Sequence, residues 1–297
     1  MKTSEILDLV ESAEVHPHFT IVAEKIWGAK KRGAAVILMM GAHVIRSGVQ
    51  RYIIDLIKRG LVTGVAFNGA CVIHDFELAL VGATTESVAR YIKDGRFGFW
   101  QETGMINDIV NQTYPDGAGM GLAVGRAILE GDFPNKDISI LAQAARYGVP
   151  VTVHVSIGCD IIHQFPNFDG AAAGAASHRD FLTLGGLLQR LEHGVIMNFG
   201  SAVMAPEVFL KAISMARNLA RQQGESISHF TTLVCDLHSL PEDYRKEAPK
   251  NNAAYYFRPW KTMLVRTVAD GGRSFYVKGF HRETIPALWT ALTKVAA

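Results

Sequence analysis

Apolar residues in this chain fall into short unbroken runs, separated by amphipathic stretches and by turns of small residues. That is the order in which an α/β domain is written. Ala34 to Met40 is a continuous apolar run of strand length. It ends at Gly41-Ala42-His43, and Val49 to Arg59 then carries Val49, Ile53, Ile54, Leu56 and Ile57 at helical spacing before Gly60 closes it. Val62 to Phe67 repeats the strand pattern, turns through Asn68-Gly69-Ala70-Cys71 and leaves as a helix from His74-Asp75. Strand, small-residue turn, helix, strand, turn, helix predicts parallel strands with crossover helices.

The same grammar continues. Helices are expected over 86–93, 100–113, 122–130 and 139–147, and Val149 to Val155 reads as a strand ending in Ser156 to Asp160. Gln164 to Ala176 reads as a loop rich in Gly and Ala, Asp180 to Glu192 as a helix, and Gly194 to Phe199 as a strand ending in Gly200-Ser201-Ala202. A helix over 206–223 has Pro206 near its start. Phe230 to Val234 is a strand followed by Cys235-Asp236-Leu237-His238. Thr262 to Val268 and Phe275 to Val277 read as strands joined by a hairpin turn at Asp270-Gly271-Gly272, and Thr284 to Ala296 as a closing helix. Residues 1–33 read as an N-terminal helical arm, with Leu7, Leu9, Val10 and Ile21 to Trp27 supplying its apolar side, and 34–297 as a single domain. The fold expected is α/β, a mostly parallel sheet flanked by helices on both faces.

Composition narrows the function classes. The chain has 297 residues, 48% hydrophobic and 20% charged, enough for one large domain or two small ones. A net charge of +2 with scattered Lys and Arg gives no footprint for nucleic acid. Three widely spaced cysteines, Cys71, Cys159 and Cys235, suggest neither a disulfide framework nor a thiolate zinc site, and no metal is expected. A reduced, cytoplasmic setting fits that usage. The first residues are too acidic and polar for a signal peptide, and the longest apolar run, Ala34 to Met40, is too short to span a bilayer, so no membrane partner is expected.

Five strands end in turns of small and polar residues: Gly41-Ala42-His43, Asn68-Gly69-Ala70, Ser156 to Asp160, Gly200-Ser201, and Asp236 to His238. In a parallel sheet these ends share one edge, where open α/β sheets bind ligands. The expected crevice holds His43, Asn68, His74, Asp75, His154, Asp160, Asp236 and His238. Asp75 doubles as a plausible helix cap. Gly119-x-Gly121-x-x-x-Gly125 imitates a dinucleotide fingerprint, but Tyr114-Pro115-Asp116 stands where that motif needs a strand. As a glycine-bearing helix start it remains a candidate for a supporting phosphate contact.

From Ala34 to Gly279 these segments resemble the deoxyhypusine synthase family in pattern and order. Met40-Gly-Ala-His-Val-Ile-Arg-Ser-Gly48 is similar to the family's cofactor-binding stretch, and Phe67 to Asp75 to its Thr-Thr-Ala-Gly-Gly-Val-Glu-Glu-Asp. Ser139 to Val151 resembles its helix and Pro-Val strand, Ser156 to Asp160 its Asp-Gly-Ser-Ile-Gly-Asp, Gly200 to Val203 its Gly-Gly-Gly-Val, and Trp260-Lys261 its Trp-Gly-Lys. The resemblance implies a Rossmann-like NAD-binding domain, a homotetramer, and amine oxidation followed by group transfer through a lysine imine. It places cofactor contacts at Gly41, Ala42, His43, Ser47, Asn68, Gly69, Ala70, Asp160, Gly200, Ser201 and Asp236. It places chemistry at Lys261, His74, Asp75 and Asp160. The polyamine site diverges: Ile73 and His74 stand where the family pairs two glutamates.

Three readings of function follow. One is an NAD-dependent transferase or oxidoreductase acting on a small amine or another polar substrate. Another is a Rossmann-like enzyme using a different nucleotide or a phosphorylated metabolite at the same turns. The last is a non-catalytic ligand-binding protein on the same scaffold.

Overall fold

The computed structural model describes residues 1–296. Its centre is a six-stranded parallel sheet in the order β3-β2-β1-β4-β5-β6. The strands are β1 (Val36–Met40), β2 (Gly64–Asn68), β3 (Val151–His154), β4 (Val195–Phe199), β5 (Thr231–Asp236) and β6 (Arg273–Lys278). The α-helices are α1 (Pro17–Arg32), α2 (Ala42–Arg46), α3 (Gln50–Lys58), α4 (Gly69–Val81), α5 (Val88–Tyr91), α6 (Gln101–Thr113), α7 (Met120–Glu130), α8 (Ile140–Arg146), α9 (Gly170–Leu188), α10 (Met204–Gln222) and α11 (His281–Ala296). The doubly wound α/β architecture expected from the pattern is present.

The strands are apolar throughout because both faces are covered. Val36, Leu38 and Met40 of β1 point into a core shared with α1, α3, α4, α7, α8 and α11. Ile37 and Met39 point the other way, onto α9 and α10. Leu38 pairs with Val65 and Met197, and Met40 with Phe67 and Phe199. That register brings Gly41, Asn68 and Gly200 to one edge of the sheet. The outer edge of β3 is tied to α9: the Val153 N–H donates to Asp180, and the Val155 N–H to Ser177 Oγ, which in turn donates to the Val153 carbonyl. Among the described residues no helix is long and apolar enough to cross a membrane.

Four local expectations are corrected. Thr262 to Val268 is not a strand; it lies in a π-helix, Pro259–Val265, continued by a 3-10 turn, Arg266–Val268. A short buried apolar run cannot be told from a strand by content alone. Here Pro259 opens the helix, Trp260 Nε1 donates to the Tyr244 carbonyl, and Thr232 Oγ1 of β5 donates to the Met263 carbonyl. Asp270-Gly271-Gly272 is therefore not a hairpin turn but the lead-in to β6, which runs parallel to β5. Residues 170–176, expected as loop, begin α9: Asp169 caps it by accepting from the Ala171 and Ala172 N–H groups, and the alanines carry it forward. In the first 33 residues the α-helix is α1 alone. Leu7, Leu9 and Val10 precede it, and Phe19, Val22, Ala23, Ile26 and Ala29 bury its inner face in the sheet core.

Candidate functional site

The chain winds outward from β1 to β3, returns to the centre and winds outward again from β4 to β6. The reversal lies between β1 and β4, and the crevice beyond their carboxyl ends is where such folds take ligands. The two backbones almost touch there. The Gly41 N–H donates to the Phe199 carbonyl at 2.9 Å, and a Cβ on Gly41 would run into the Gly200 carbonyl. Gly200 sits at φ 68°, with the His281 ring packed against its Cα and edge-on to Phe199. Burial holds the His281 pKa below its ordinary value, and its Nδ1 is enclosed without a partner among the described residues.

The turn into α10 is braced from inside. Asn198 donates to the Ser201 carbonyl and accepts from the Ser201 N–H, while Ser201 Oγ accepts from the Ala205 N–H. The exposed Ala202 and Val203 at this turn, and Met204 behind them, carry N–H groups with no acceptor among the described residues. Asp236 closes its own turn, accepting from the Leu237 and His238 N–H groups. On the β1 side, Ala42 is half-buried, His43 is exposed with Nε2 3.4 Å from Arg46, and Ser47 Oγ donates to the His43 carbonyl.

A cavity of about 510 Å³ lies beside this crevice, on the β2 side. Its floor is the first turns of α4, with Ala70, Ile73, His74 and Glu77, and its cover is the segment 83–103. Arg46 and Asp160 line it as well. His74 Nδ1 lies 2.7 Å from Thr84 Oγ1, Thr84 Oγ1 donates to Glu77 Oε2 at 2.5 Å, and Thr103 Oγ1 donates to Glu77 Oε1 at 2.7 Å. Burial, with Arg46 and His43 nearby, lowers the His74 pKa to about 4. Burial also raises Glu77, against the pull of its hydroxyl donors. Asp160 is pushed up to about 6 by burial alone.

The predicted residues are thus divided. Gly41, Ala42, His43, Ser47, Gly200, Ser201 and Asp236 surround the switch-point crevice. Ala70, His74 and Asp160 line the cavity. Asn68 and Gly69 stand between, but the Asn68 side chain accepts from the Cys71 N–H, and the Asp160 carboxylate is pressed against the Gly69 Cα. This turn therefore presents a carboxylate to a ligand. Asp75 lies outside the cavity lining: it is 1% exposed and spends its carboxylate on Ser139 Oγ and the Ile140 and Leu141 N–H groups, capping α8. Lys261 is in the π-helix on the β4–β6 side, its ammonium 3.7 Å over the Tyr255 ring. The start of α7 at Gly119 to Gly121 faces buried Asp180, which accepts from the Gly121 N–H, and a Cβ on Gly121 would strike the Val151 carbonyl. Its glycines serve packing.

Four residues of the site, Arg46, Thr84, Thr103 and His281, were not singled out by pattern. Thr84 or Thr85 reads as the cap of the 86–93 helix, Thr103 as an ordinary helical residue, and His281 falls in Gly279 to Glu283, which reads as interface or a cap region for the last helix. No spacing marks them, because loops and separate helices bring them in.

No protein-family model matches the sequence, and no curated protein does. Solved structures do. Unliganded AgrE is similar over 97% of this chain and 34% of its own, with 16% identity and a TM-score of 0.60. AgrE in ternary complex with ornithine and NAD+ gives 17% identity and 0.55. A conserved LOR/SDH protein from Methanococcus maripaludis S2 is similar over 97% of this chain and 73% of its own, with 14% identity and a TM-score of 0.55. The chain spans about a third of AgrE and of the arginine dihydrolase ArgZ, also matched. At these identities the likeness shows a shared fold. A deoxyhypusine synthase from Entamoeba histolytica matches at 9% identity and a TM-score of 0.40, too low to carry the family resemblance.

Proposed function

We propose that this chain is an NAD-dependent enzyme acting on a small amine or another small polar substrate. The observation that carries the reading is the juxtaposition of a switch-point crevice, where Gly41 and Gly200 bring two backbones together, with a walled cavity holding His74 and Asp160. The crevice suits the phosphate end of a nucleotide: open N–H groups at the start of the 19-residue α10 favour an anion, and His281 Nδ1 lacks a partner among the described residues. Val203, Leu237 and Phe280, exposed beyond β4, β5 and β6, offer an apolar row for a planar ring. AgrE, which shares the fold, has been solved with NAD+ and ornithine. NAD, when bound, accepts hydride. This chain's residues would hold the substrate in the cavity, exclude water with the 83–103 cover and receive a proton at His74. Homo-oligomer formation belongs to the same reading.

Calorimetric titration of the purified protein with NAD, alongside NADP and ATP, tests it, with mass spectrometry for carried-over cofactor. Micromolar NAD affinity is expected. Preference for ATP or NADP would favour another nucleotide, and no binding at millimolar concentration would leave the fold without its cofactor role.

A further inference from the structure

The hydrogen-bond chain behind His74 fixes the ring's tautomer. Thr84 has a single hydroxyl hydrogen. Glu77 accepts from Thr84 on one oxygen and from Thr103 on the other. An ionised carboxylate only accepts. Thr84 therefore donates to Glu77, its oxygen must accept from His74 Nδ1–H, and the lone pair is left on Nε2. Nε2 has no partner among the described residues, and His74 lines the cavity. Thr85 is held at φ 73°, a costly conformation for a β-branched residue, and it persists where the surroundings over-determine it.

The same cavity is lined by one arginine, Arg46, and by the carboxylates Glu77, Glu86, Glu102 and Asp160. Arg51 and Arg59 are paired with Asp8 and Asp55. Arg46 has no carboxylate partner among the described residues; its guanidinium meets His43 Nε2 at 3.4 Å. An unpaired guanidinium beside a cavity suits a carboxylate, which it can bind through two N–H groups. Of these carboxylates, Asp160 lies 3.9 Å from His163 Nε2 and is largely shielded from solvent. The apolar part of the wall is Ile73, Val81, Phe97 and Trp100, and Glu86 is engaged by the Gly98 N–H.

We propose that the cavity binds a small amino acid, its carboxylate paired with Arg46 and its ammonium shared between Asp160 and the His74 Nε2 lone pair. The proposal rests on reading the cavity as the substrate space but not on the identity of the cofactor. Thr84 is a positioning residue: it touches no ligand and acts by directing His74.

The test uses the full-length protein, uniformly ¹⁵N-labelled, with norvaline, pentylamine and pentanoate as probes, each with and without saturating NAD. Two-bond ¹H–¹⁵N spectra should show His74 as the Nδ1–H form. Thr84→Val should scramble that tautomer, and Thr84→Ser should restore it. Norvaline should shift the His74 Nε2 signal and bind at least tenfold more tightly than either single-charge analogue. Arg46→Met should bring norvaline down to the level of pentylamine. An Nε2–H tautomer in the wild type would overturn the proposal. So would a norvaline affinity no better than that of pentylamine, or a His74 signal that no probe moves in either condition. Norvaline binding in a protein that ignores NAD would sink the cofactor reading and leave this one standing. NAD binding with no probe response would do the reverse.

Discussion

The two halves of the sheet carry different kinds of site. On the β1–β3 side polar groups are enclosed and committed: Glu77 to two threonines, Asp75 to the start of α8, Asp180 to α7 and β3. The carboxylates and imidazoles with the largest pKa shifts, His74, Asp75, His154, Asp160 and Asp180, all lie there. On the β4–β6 side the carboxyl edge is open, with backbone N–H groups and apolar side chains facing outward. Enclosure buys directed proton chemistry at the expense of reach, whereas an open edge suits a long, flat ligand bound mainly by backbone. One fold thereby offers a place for chemistry beside a place for a nucleotide.

The sharpest way to separate structure from chemistry in the enclosed half is Asp75→Ala. It strands the Ser139 hydroxyl and two N–H groups in the core, and a loss of about 3 kcal/mol or more is expected in urea unfolding. Asp75→Asn should recover part of that and bind norvaline as the wild type does. A folded variant that lost the probe would move Asp75 into the site. Next in size is Gly200→Ala. Gly200 is left-handed and covered by His281, so NAD affinity should fall about tenfold or more while the cavity's response is kept, the two halves failing separately.

Acid dependence is a smaller effect. Folding lowers His154 to about 4 by burial, so the unfolded chain takes up a proton first as pH falls below 6.5. His154 therefore costs stability from pH 6.5 down to about 4, at about 1.4 kcal/mol per pH unit, and His74 acts the same way. Burial raises Asp75 and Asp160 to about 6 and Asp180 to about 7, with the opposite sign: their contribution is present at low pH and is lost as pH rises through those values. The sets oppose each other, two histidines against three carboxylates, so the wild type should keep a net dependence of about one proton between pH 4 and 6, favouring acid. His154→Phe should tilt the balance, making the fold relatively more stable in acid. A Tm profile parallel to that of the wild type would refute the assignment.

The fold was legible in the sequence because β1, β2 and β4 are unbroken apolar runs ending in small-residue turns, a pattern with one common solution. The π-helix at Pro259–Val265 was not, because Thr262 to Val265 is as apolar and β-branched as a strand, and only its contacts with β5 decide. In the site, His74 and Asp160 were legible from their positions at strand ends. Arg46, Thr84, Thr103 and His281 were not, since each enters from an element whose path no local pattern specifies. Asp75 shows the converse: a carboxylate in the right place on the chain, one residue after His74, faces the other side of the helix.

Lys261 gives the smallest expected effect and the most pointed test of whether the halves act together. It rests on Tyr255, near Glu207 in the first turn of α10, and does not line the cavity. Lys261→Ala should leave both the unfolding midpoint and norvaline binding as they are in the wild type, with the change confined to ligands that extend over the β4–β6 edge. Borohydride trapping with an amine in the presence of NAD, read by intact mass, sharpens this. An adduct on the wild type that disappears from Lys261→Ala would mean that a product formed in the cavity crosses the switch point to reach the lysine. Equal traces from both proteins would confine the chemistry to the side of His74.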